Sequence, residues 1–304
     1  MTNYFNKTRS WYNYNGEGVG GFSWLQSWID RLPSAFCFIN ATGFLFTCGE
    51  IVALLLLNAV FTCPSLYGWE ACQRPILFGY VIVANIVGNL ACFHYYKRNN
   101  RLCFLFPGRL RDDAEHTKYC PTCELWVPRR AHHCPLCDYC VLRKDHHCFL
   151  VGGCVGFGNH RYFIAFLFWA AVGCAYATFF TFTYLDRFFQ PWWPFGWIDY
   201  IAPIALKKWI FMQHCSLWQL VCSWAATGFF VSQWYFLYHG CTMMEYMVWK
   251  KNGVKDSSAS FRGRIRMILG PYFLLNFICP MPFLKNRIEP DLAHVLFRCY
   301  LKEL

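Results

Sequence analysis

Seven of the chain's 19 cysteines lie within 35 consecutive residues, where they alternate with histidines. The segments are C-P-T-C at 120–123, H-H-C-P-L-C-D-Y-C at 132–140, D-H-H-C at 145–148 and Cys154. Each of the first two contains a Cys-x2-Cys pair, which supplies half of a tetrahedral zinc site. This spacing predicts zinc binding, because a thiolate and an imidazole from elsewhere in the segment can complete each site.

Two four-coordinate sites need eight ligands, and these motifs supply seven cysteines and four histidines. If each site takes three cysteines and one histidine, one thiol and two imidazoles remain. Cys148 is the best local candidate for the remaining thiol, because Asp145 and His146 precede it closely. One imidazole can deprotonate the thiol while the carboxylate orients that ring, which predicts a nucleophile. The alternative from spacing alone is that all of these residues are structural ligands or surface polar groups.

The remaining composition is that of a membrane protein. Hydrophobic residues make up 56% of the 304 residues, and charged residues 15%, against about 25% in an average soluble protein. This excludes a disordered chain and a small disulfide scaffold. The net charge of +11 does not indicate nucleic-acid binding, because the basic residues flank apolar segments and do not alternate with aromatic residues. A metalloprotease is disfavoured because no His-Glu-x-x-His motif occurs, and a transporter because no repeat symmetry is visible.

Four segments contain the roughly 20 apolar residues that a membrane-spanning helix needs. They are residues 41–62, 75–95, 162–184 and 216–237. We therefore predict an all-α integral membrane protein with four transmembrane helices. A small cytosolic cysteine-rich domain, residues 97–161 with its core at 119–163, would join the second helix to the third.

The distribution of basic residues predicts the topology. Eleven Lys and Arg lie between the second and third spans and ten follow Leu237, against one and three in the two other loops. The positive-inside rule then places the central loop, the tail at 238–304 and the N-terminus at 1–40 in the cytosol. The apolar segment 271–284 is short and contains three prolines, so we predict that it lies at the membrane interface.

Glu50 is a carboxylate within the first predicted span. An ionised group near mid-membrane costs roughly 2.5 to 3.5 kcal/mol, so we expect Glu50 to be neutral, paired or directed into the bundle. Its role is either functional or a buried structural contact with Asn85 or Asn89.

From Tyr119 to Phe163 the chain resembles the DHHC protein S-acyltransferases (palmitoyltransferases), in their branch of short chains without ankyrin repeats. The resemblance is carried by C-P-T-C at 120–123, P-R-R-A-H-H-C-P-L-C-D-Y-C at 128–140, D-H-H-C at 145–148 and C-V-G-F-G-N-H-R-Y-F at 154–163. The four-span topology agrees with it.

The resemblance implies two structural zinc ions. One would be held by Cys120, Cys123, His133 and Cys140, and the other by Cys134, Cys137, His147 and Cys154. It also implies that Cys148 accepts a long acyl chain, most readily palmitoyl, from acyl-CoA as a thioester and passes it to cysteines of substrate proteins. His146 would be the general base and Asp145 would orient it.

The implied partners are acyl-CoA, membrane lipid, and cytosolic or membrane proteins with accessible cysteines, with no nucleic acid. The implied location is the endoplasmic reticulum or Golgi apparatus, with both termini in the cytosol. Four residues are assigned to acyl-donor binding: Phe166, Gly173, Thr242 and Glu245. Phe166 and Gly173 would face an acyl cavity between the spans, although ordinary helix packing is the alternative at Gly173.

The chain departs from the family pattern at several positions. Phe149 and Leu150 follow the motif cysteine where the family has Pro-Trp, and that Trp helps to shape the mouth of the acyl site. Met243 replaces the second Thr of the family's T-T-x-E motif, and Arg264 stands where a C-terminal Asn is expected. The alternative function is therefore a catalytically weak or inactive family member that serves as a membrane adaptor or chaperone.

Overall fold

A computed structural model describes residues 33–97, 117–189, 204–249 and 260–282. Within these ranges the protein is mostly helical. A π-helical stretch, Leu57–Thr62, joins the first two of its helices. The helices are α1 Pro33–Leu56, α2 Cys63–Ala71, α3 Gln73–Tyr96, α4 His160–Phe189, α5 Ile204–His239, α6 Met243–Trp249, α7 Phe261–Leu269 and α8 Phe273–Ile278.

Three helical segments in the described part of the chain are long and apolar enough to cross a membrane. They are Phe38–Ala71, Gln73–Tyr96 and His160–Phe188. The segment predicted as a fourth span lies within α5, which at 36 residues is the longest helix described. Polar glutamines in α5, such as Gln219, lower its hydropathy relative to the other three.

Helix α4 is the centre of the bundle and packs most extensively against α5 and α3. Its small residues allow close approach to its neighbours. A Cβ atom added at Gly173, for example, would lie 3.0 Å from Ile82 Cγ2 and 3.3 Å from Ile86 Cδ1 of α3. Large side chains of α1, including Leu45 and Val52, are exposed, as expected for a helix whose outer face contacts lipid.

The cysteine-rich region contains three two-stranded antiparallel hairpins. They pair β1 Thr117–Cys120 with β2 Leu125–Pro128, β3 His132–Cys134 with β4 Tyr139–Val141, and β5 His146–Cys148 with β6 Gly153–Val155. The all-α prediction did not include them, because strands of three or four residues are too short to show an alternating hydrophobic pattern. Such hairpins are only marginally stable alone, so contacts between them must hold the domain together.

The cysteine-rich region shares one hydrophobic core with the helices. Val127, Leu142 and Phe157 are buried together with Leu237 at the end of α5 and Ile268 of α7. The hairpins are therefore packed directly against the helical bundle.

Arg264 of α7 binds the end of α5. Its guanidinium is buried and donates hydrogen bonds to the carbonyl oxygens of Leu237, at 2.9 Å, and Tyr238, at 2.6 Å. These carbonyls belong to the last turn of α5, where no further helical turn follows to donate to them; that of Leu237 also accepts a 3.3 Å hydrogen bond from the Gly240 nitrogen. The arginine that departs from the family pattern therefore satisfies the C-terminus of α5.

The predicted interfacial segment begins beyond α7 and contains α8. Trp169 Nε1 donates a 2.7 Å hydrogen bond to the Phe277 carbonyl oxygen, and Tyr162 Oη donates one of 2.9 Å to that of Met281. Leu274 and Ile278 on the same short helix are exposed. The segment is thus attached to α4 through its backbone and directs apolar side chains outward. Most of the predicted N-terminal region, and the tail beyond residue 282, lie outside the described residues.

Candidate active site and metal centres

The eight predicted zinc ligands lie in two separate groups of four. Within each group the ligand atoms lie within 4.8 Å of one another. The groups are Cys120, Cys123, His133 and Cys140, and Cys134, Cys137, His147 and Cys154. The sequence-based grouping and the spatial grouping are therefore the same.

The hairpins explain how distant ligands meet. His133 pairs with Cys140 across β3 and β4, and His147 pairs with Cys154 across β5 and β6. Each such pair faces a Cys-x2-Cys turn of the preceding hairpin. The first group thus joins the first and second hairpins, and the second group joins the second and third.

The distances within the groups fit tetrahedral zinc, except that Cys123 Sγ and His133 Nδ1 are only 3.0 Å apart. Zn–S bonds of about 2.3 Å and Zn–N bonds of about 2.0 Å place sulfur about 3.5 Å from nitrogen and about 3.8 Å from another sulfur. His147 Nδ1 lies 3.4 Å from Cys137 Sγ and 3.5 Å from Cys134 Sγ. Cys140 Sγ lies 3.7 Å from Cys123 Sγ in the other group. With four protein ligands each, both sites would be closed, which is typical of structural zinc.

A hydrogen bond from α1 orients one of the predicted ligands. His147 Nε2 lies 3.1 Å from Asn40 Oδ1. The amide oxygen accepts the Nε2 hydrogen, which leaves Nδ1 as the lone-pair nitrogen directed at the three cysteines. Outer contacts of this kind fix the tautomer of a metal ligand. The sequence contains no local signal for Asn40, which lies 107 residues away from His147.

Strand alternation separates the two histidines of the D-H-H-C motif. His146, His147 and Cys148 form β5, and successive side chains of a strand point to opposite faces. His147 points to the metal-ligand group, so His146 and Cys148 share the other face, where the imidazole lies near enough to lower the pKa of the thiol. Three consecutive residues can therefore serve two different sites.

Asp145 is the buried end of this arrangement, with 1% of its surface exposed. Its Oδ2 accepts hydrogen bonds from His146 Nδ1 at 2.8 Å and from Gln233 Nε2 at 3.1 Å. Its Oδ1 accepts one of 2.7 Å from the Met243 backbone nitrogen. Because Nδ1 of His146 is occupied by the carboxylate, the other ring nitrogen is the one available to Cys148.

The electrostatics of the site favour an imidazolium on His146 beside a thiolate on Cys148. Burial raises the pKa of Asp145, but the His146 hydrogen bond, the charges of His160 and His146 and the Met243 backbone hydrogen bond together hold this pKa below its usual range. Burial lowers the pKa of His146, but hydrogen bonds with Asp145 and Cys148 raise it to about 10. Burial also raises the pKa of the Cys148 thiol. The interaction with the His146 side chain and the charge of that ring lower it by more, so the net shift is a decrease. A thiolate beside an imidazolium is a reactive nucleophile at neutral pH.

A cavity of about 240 Å³ lies between the helices beside this motif. One stripe of α4 forms a wall of it: Phe166, Ala170, Gly173, Ala177 and Phe180. Both residues predicted to face an acyl cavity, Phe166 and Gly173, are in this stripe. Leu150, which stands at the position of the family's Trp, also lines it. Cys148 packs against the hydrophobic cluster that contains Phe166, and Leu150, two residues after it, lines the cavity.

Glu50 lines the same cavity, and its Oε2 accepts a 3.0 Å hydrogen bond from Trp218 Nε1 of α5. Its polar contact is therefore with Trp218. The two asparagines considered as partners, Asn85 and Asn89, each donate a hydrogen bond to a carbonyl oxygen four residues earlier in their own helix.

Thr242 and Glu245 are not among the residues that line the cavity. Glu245 instead forms a buried ion pair with Arg130, with Arg130 Nε 2.7 Å from Oε1 and Nη2 2.5 Å from Oε2. Thr242 Oγ1 accepts a hydrogen bond from the Glu245 backbone nitrogen, and Glu245 Oε2 accepts one from that of Thr242. This reciprocal cap begins α6. Glu245 therefore joins α6 to the cysteine-rich region through Arg130, and Thr242 caps α6.

Among the contacts around the motif that were not predicted from the sequence are those of Arg130, Gln233 and Asn40. Arg130 stands in the segment P-R-R-A, just before the ligand pair of the second hairpin. An arginine in such a position predicts a nearby carboxylate as its partner. No signal in the sequence marks Gln233 or Asn40, because each contacts a residue that is far from it along the chain.

The geometry agrees with a comparison to known protein families. Residues 113–250 match the family model described as DHHC palmitoyltransferase. A search of curated protein sequences found no match. The matched region extends from just before β1 to the end of α6, so it contains both ligand groups, the Asp145–His146–Cys148 arrangement and the ion pair of Glu245. Residues 113–250 of the chain are thus similar to the DHHC palmitoyltransferase domain.

Proposed function

We propose that the protein is a membrane-embedded S-acyltransferase. It moves a long acyl chain, preferably palmitoyl, from acyl-CoA through a thioester on Cys148 to cysteines of substrate proteins. The observation that carries the proposal is the Asp145–His146 hydrogen bond, with Cys148 on the same face of β5 as His146 and packed against the apolar cluster that contains Phe166. A nucleophile, a base and an orienting carboxylate are the groups that acyl transfer needs.

In the first step the Cys148 thiolate attacks the carbonyl carbon of acyl-CoA. A carbon–sulfur bond to Cys148 forms and the bond to the CoA sulfur breaks, while His146 gives its proton to the departing CoA thiolate. In the second step neutral His146 takes the proton of a substrate cysteine, whose sulfur attacks the Cys148 thioester. Cys148 leaves as a thiolate, and the charged pair is restored.

Two structural zinc ions are part of the proposal. The donor sets and their spacings suit closed tetrahedral sites. When bound, the metal supplies cross-links between hairpins and takes no part in the reaction. The consequence for catalysis is positional, since β5 carries both the ligand His147 and the reacting residues His146 and Cys148.

The cavity suits a long acyl chain. Its wall follows α4 from Phe166 to Phe180, a distance of roughly 21 Å at 1.5 Å per residue. An extended chain of sixteen carbons has a similar length. Burial of each methylene group contributes about 0.8 kcal/mol, so such a chain would be preferred over a short one.

The same proposal includes the membrane topology. Helix α5 is the fourth span, because α4 and α5 pack along their lengths and a chain that crosses with α4 must return to bring Gln233 and Met243 to Asp145. The N-terminus, the cysteine-rich region and the tail are cytosolic, in the endoplasmic reticulum or Golgi membrane. Acyl-CoA, membrane lipid and cysteine-containing proteins are the partners.

The test is self-acylation of the purified full-length protein with palmitoyl-CoA. A hydroxylamine-sensitive label is expected in the native protein and absent from Cys148→Ser. Cys279→Ser is the matched control, because Cys279 has an exposed thiol and its loss should leave the label unchanged. Equal labelling of native protein and Cys148→Ser would refute the proposal. A zinc-loaded native protein without label would instead support the adaptor or chaperone.

A further inference from the structure

A chain of buried hydrogen bonds continues behind Asp145. Gln233 Nε2 lies 3.1 Å from Asp145 Oδ2, and Gln233 Oε1 lies 2.6 Å from His160 Nε2. His160 Nδ1 in turn lies 3.2 Å from Arg143 Nη1. The exposed fractions are 0% for Arg143, 1% for Asp145, 3% for His160 and 1% for Gln233. Bulk water therefore does not compete for these bonds.

The chemistry of Arg143 determines the direction of every bond in this chain. A guanidinium can only donate, so His160 Nδ1 must accept. A histidine that accepts through Nδ1 carries its hydrogen on Nε2, and that hydrogen is donated to Gln233 Oε1. The amide oxygen of Gln233 therefore faces His160, and its NH2 group faces Asp145 and donates. No donor meets a donor, and no acceptor meets an acceptor.

The chain connects three parts of the structure. Arg143 belongs to the cysteine-rich region, His160 is the first residue of α4, and Gln233 lies in α5. Asp145 Oδ2 accepts from both Gln233 and His146. Its orientation toward His146 thus depends on a side chain of α5 and not only on its neighbours in the sequence.

We propose that Gln233, oriented by His160, is a positioning residue that holds the Asp145 carboxylate in place for His146. The inference rests on the proposed acyl-transfer function. Gln233 does not touch the reacting atoms. Its role is to keep Oδ2 directed at His146 Nδ1, so that the other ring nitrogen of His146 stays directed at Cys148. Helix α5 thereby takes part in activating the thiol.

The experiment compares Gln233→Leu and Gln233→Met with Gln219→Leu in the full-length protein. Gln219 is a matched control: it lies on the same helix, is 0% exposed, and its amide makes no hydrogen bond with the residues that the structure describes. Two quantities are measured. One is the self-acylation rate across palmitoyl-CoA concentrations, and the other is the rate at which iodoacetamide alkylates Cys148 at neutral pH, followed by peptide mass spectrometry.

Loss of one hydrogen bond to a charged group should lower the maximal self-acylation rate about tenfold. The half-saturating concentration of palmitoyl-CoA should stay unchanged, because the cavity is untouched. Cys148 alkylation should slow by a similar factor in both Gln233 variants, and neither quantity should change in Gln219→Leu.

The proposal is overturned if Cys148 alkylation is unchanged in a zinc-loaded Gln233 variant, or if Gln219→Leu slows it equally. The second result would indicate general loosening of α5. If Gln233→Leu fails to accumulate, the same measurements are made on Gln233→Met, whose unbranched side chain differs in shape from leucine. Absence of any acyl label in native protein would refute the proposed function alone, because the alkylation comparison still tests the role of Gln233.

Discussion

Replacing Glu245 with alanine should destabilise the junction between the cysteine-rich region and helices α5 and α6. The Glu245 carboxylate accepts two hydrogen bonds from Arg130 and one from the Thr242 backbone nitrogen. The side chains of the ion pair are only 2% and 1% exposed. Alanine would leave the Arg130 charge in the same buried position without its carboxylate.

The expected cost follows from this burial. Removing one partner of a buried ion pair destabilises a protein by about 3–5 kcal/mol, because the other charge stays desolvated. Each kcal/mol lowers a melting temperature by about 2–4 °C in a protein of this size class. We therefore expect the midpoint of thermally induced zinc release to fall by roughly 10 °C in Glu245→Ala.

The assay is zinc release on heating of the purified protein, followed with a chromophoric chelator. Glu70→Ala is the matched control, because Glu70 is exposed and its loss should cost less than about 0.5 kcal/mol. The double variant Arg130→Met with Glu245→Met should be more stable than Glu245→Ala, since it removes both charges together. A shift in Glu245→Ala no larger than that of Glu70→Ala would refute the reasoning.

Three further predictions concern the backbone, the cavity and the metal sites. Met243→Pro should lower self-acylation about tenfold, because it removes the backbone N–H whose hydrogen bond Asp145 accepts. Proline is tolerated at the first position of a helix, and Met243→Ala, which keeps the N–H, should retain activity. Gly173→Val should shift the acyl preference to shorter chains, as its side chain would meet Ile82 and narrow the cavity, whereas Gly49→Val should not. Asn40→Ala should speed zinc loss to a chelator about tenfold, because His147 loses its oxygen partner.

Each of these has a contrary outcome. Equal activity in Met243→Pro and Met243→Ala would show that the backbone bond is dispensable. A uniform loss for all chain lengths in Gly173→Val would favour simple helix packing at that glycine. For the metal site, Thr42→Ala is the control, because its hydroxyl bonds only the carbonyls of its own helix among the described residues; zinc loss at the same rate in both variants would contradict the role of Asn40.

Much of the candidate site could be predicted because its information is local. Cysteine pairs two residues apart can hold one metal ion in almost any fold, so Cys120 with Cys123 and Cys134 with Cys137 are readable as pairs. The apolar helices are equally local, since the length and composition of a segment decide whether it can cross a membrane. The catalytic roles of Asp145, His146 and Cys148 and the zinc ions themselves stay predictions.

The short strands and the contacts of the tail segment could not be predicted from the sequence. Hairpins with three-residue strands carry no periodic signal, and here they pack into a core that they share with the helices. Thr242 and Glu245 were assigned to acyl-donor binding because the T-T-x-E resemblance does not say what the residues contact. In the structure they form a helix cap and a buried ion pair.

By itself, the sequence determined which residues are candidates for the chemistry and which segments are apolar enough for a membrane, because both depend on residue type and short spacing. Only the tertiary structure decided what surrounds Asp145. Gln233 is 88 residues from it and Met243 is 98, and both reach it because α5 returns alongside α4 to the cysteine-rich region. A hydrogen bond depends on distance in space, and no pattern along the chain encodes a contact between residues so far apart.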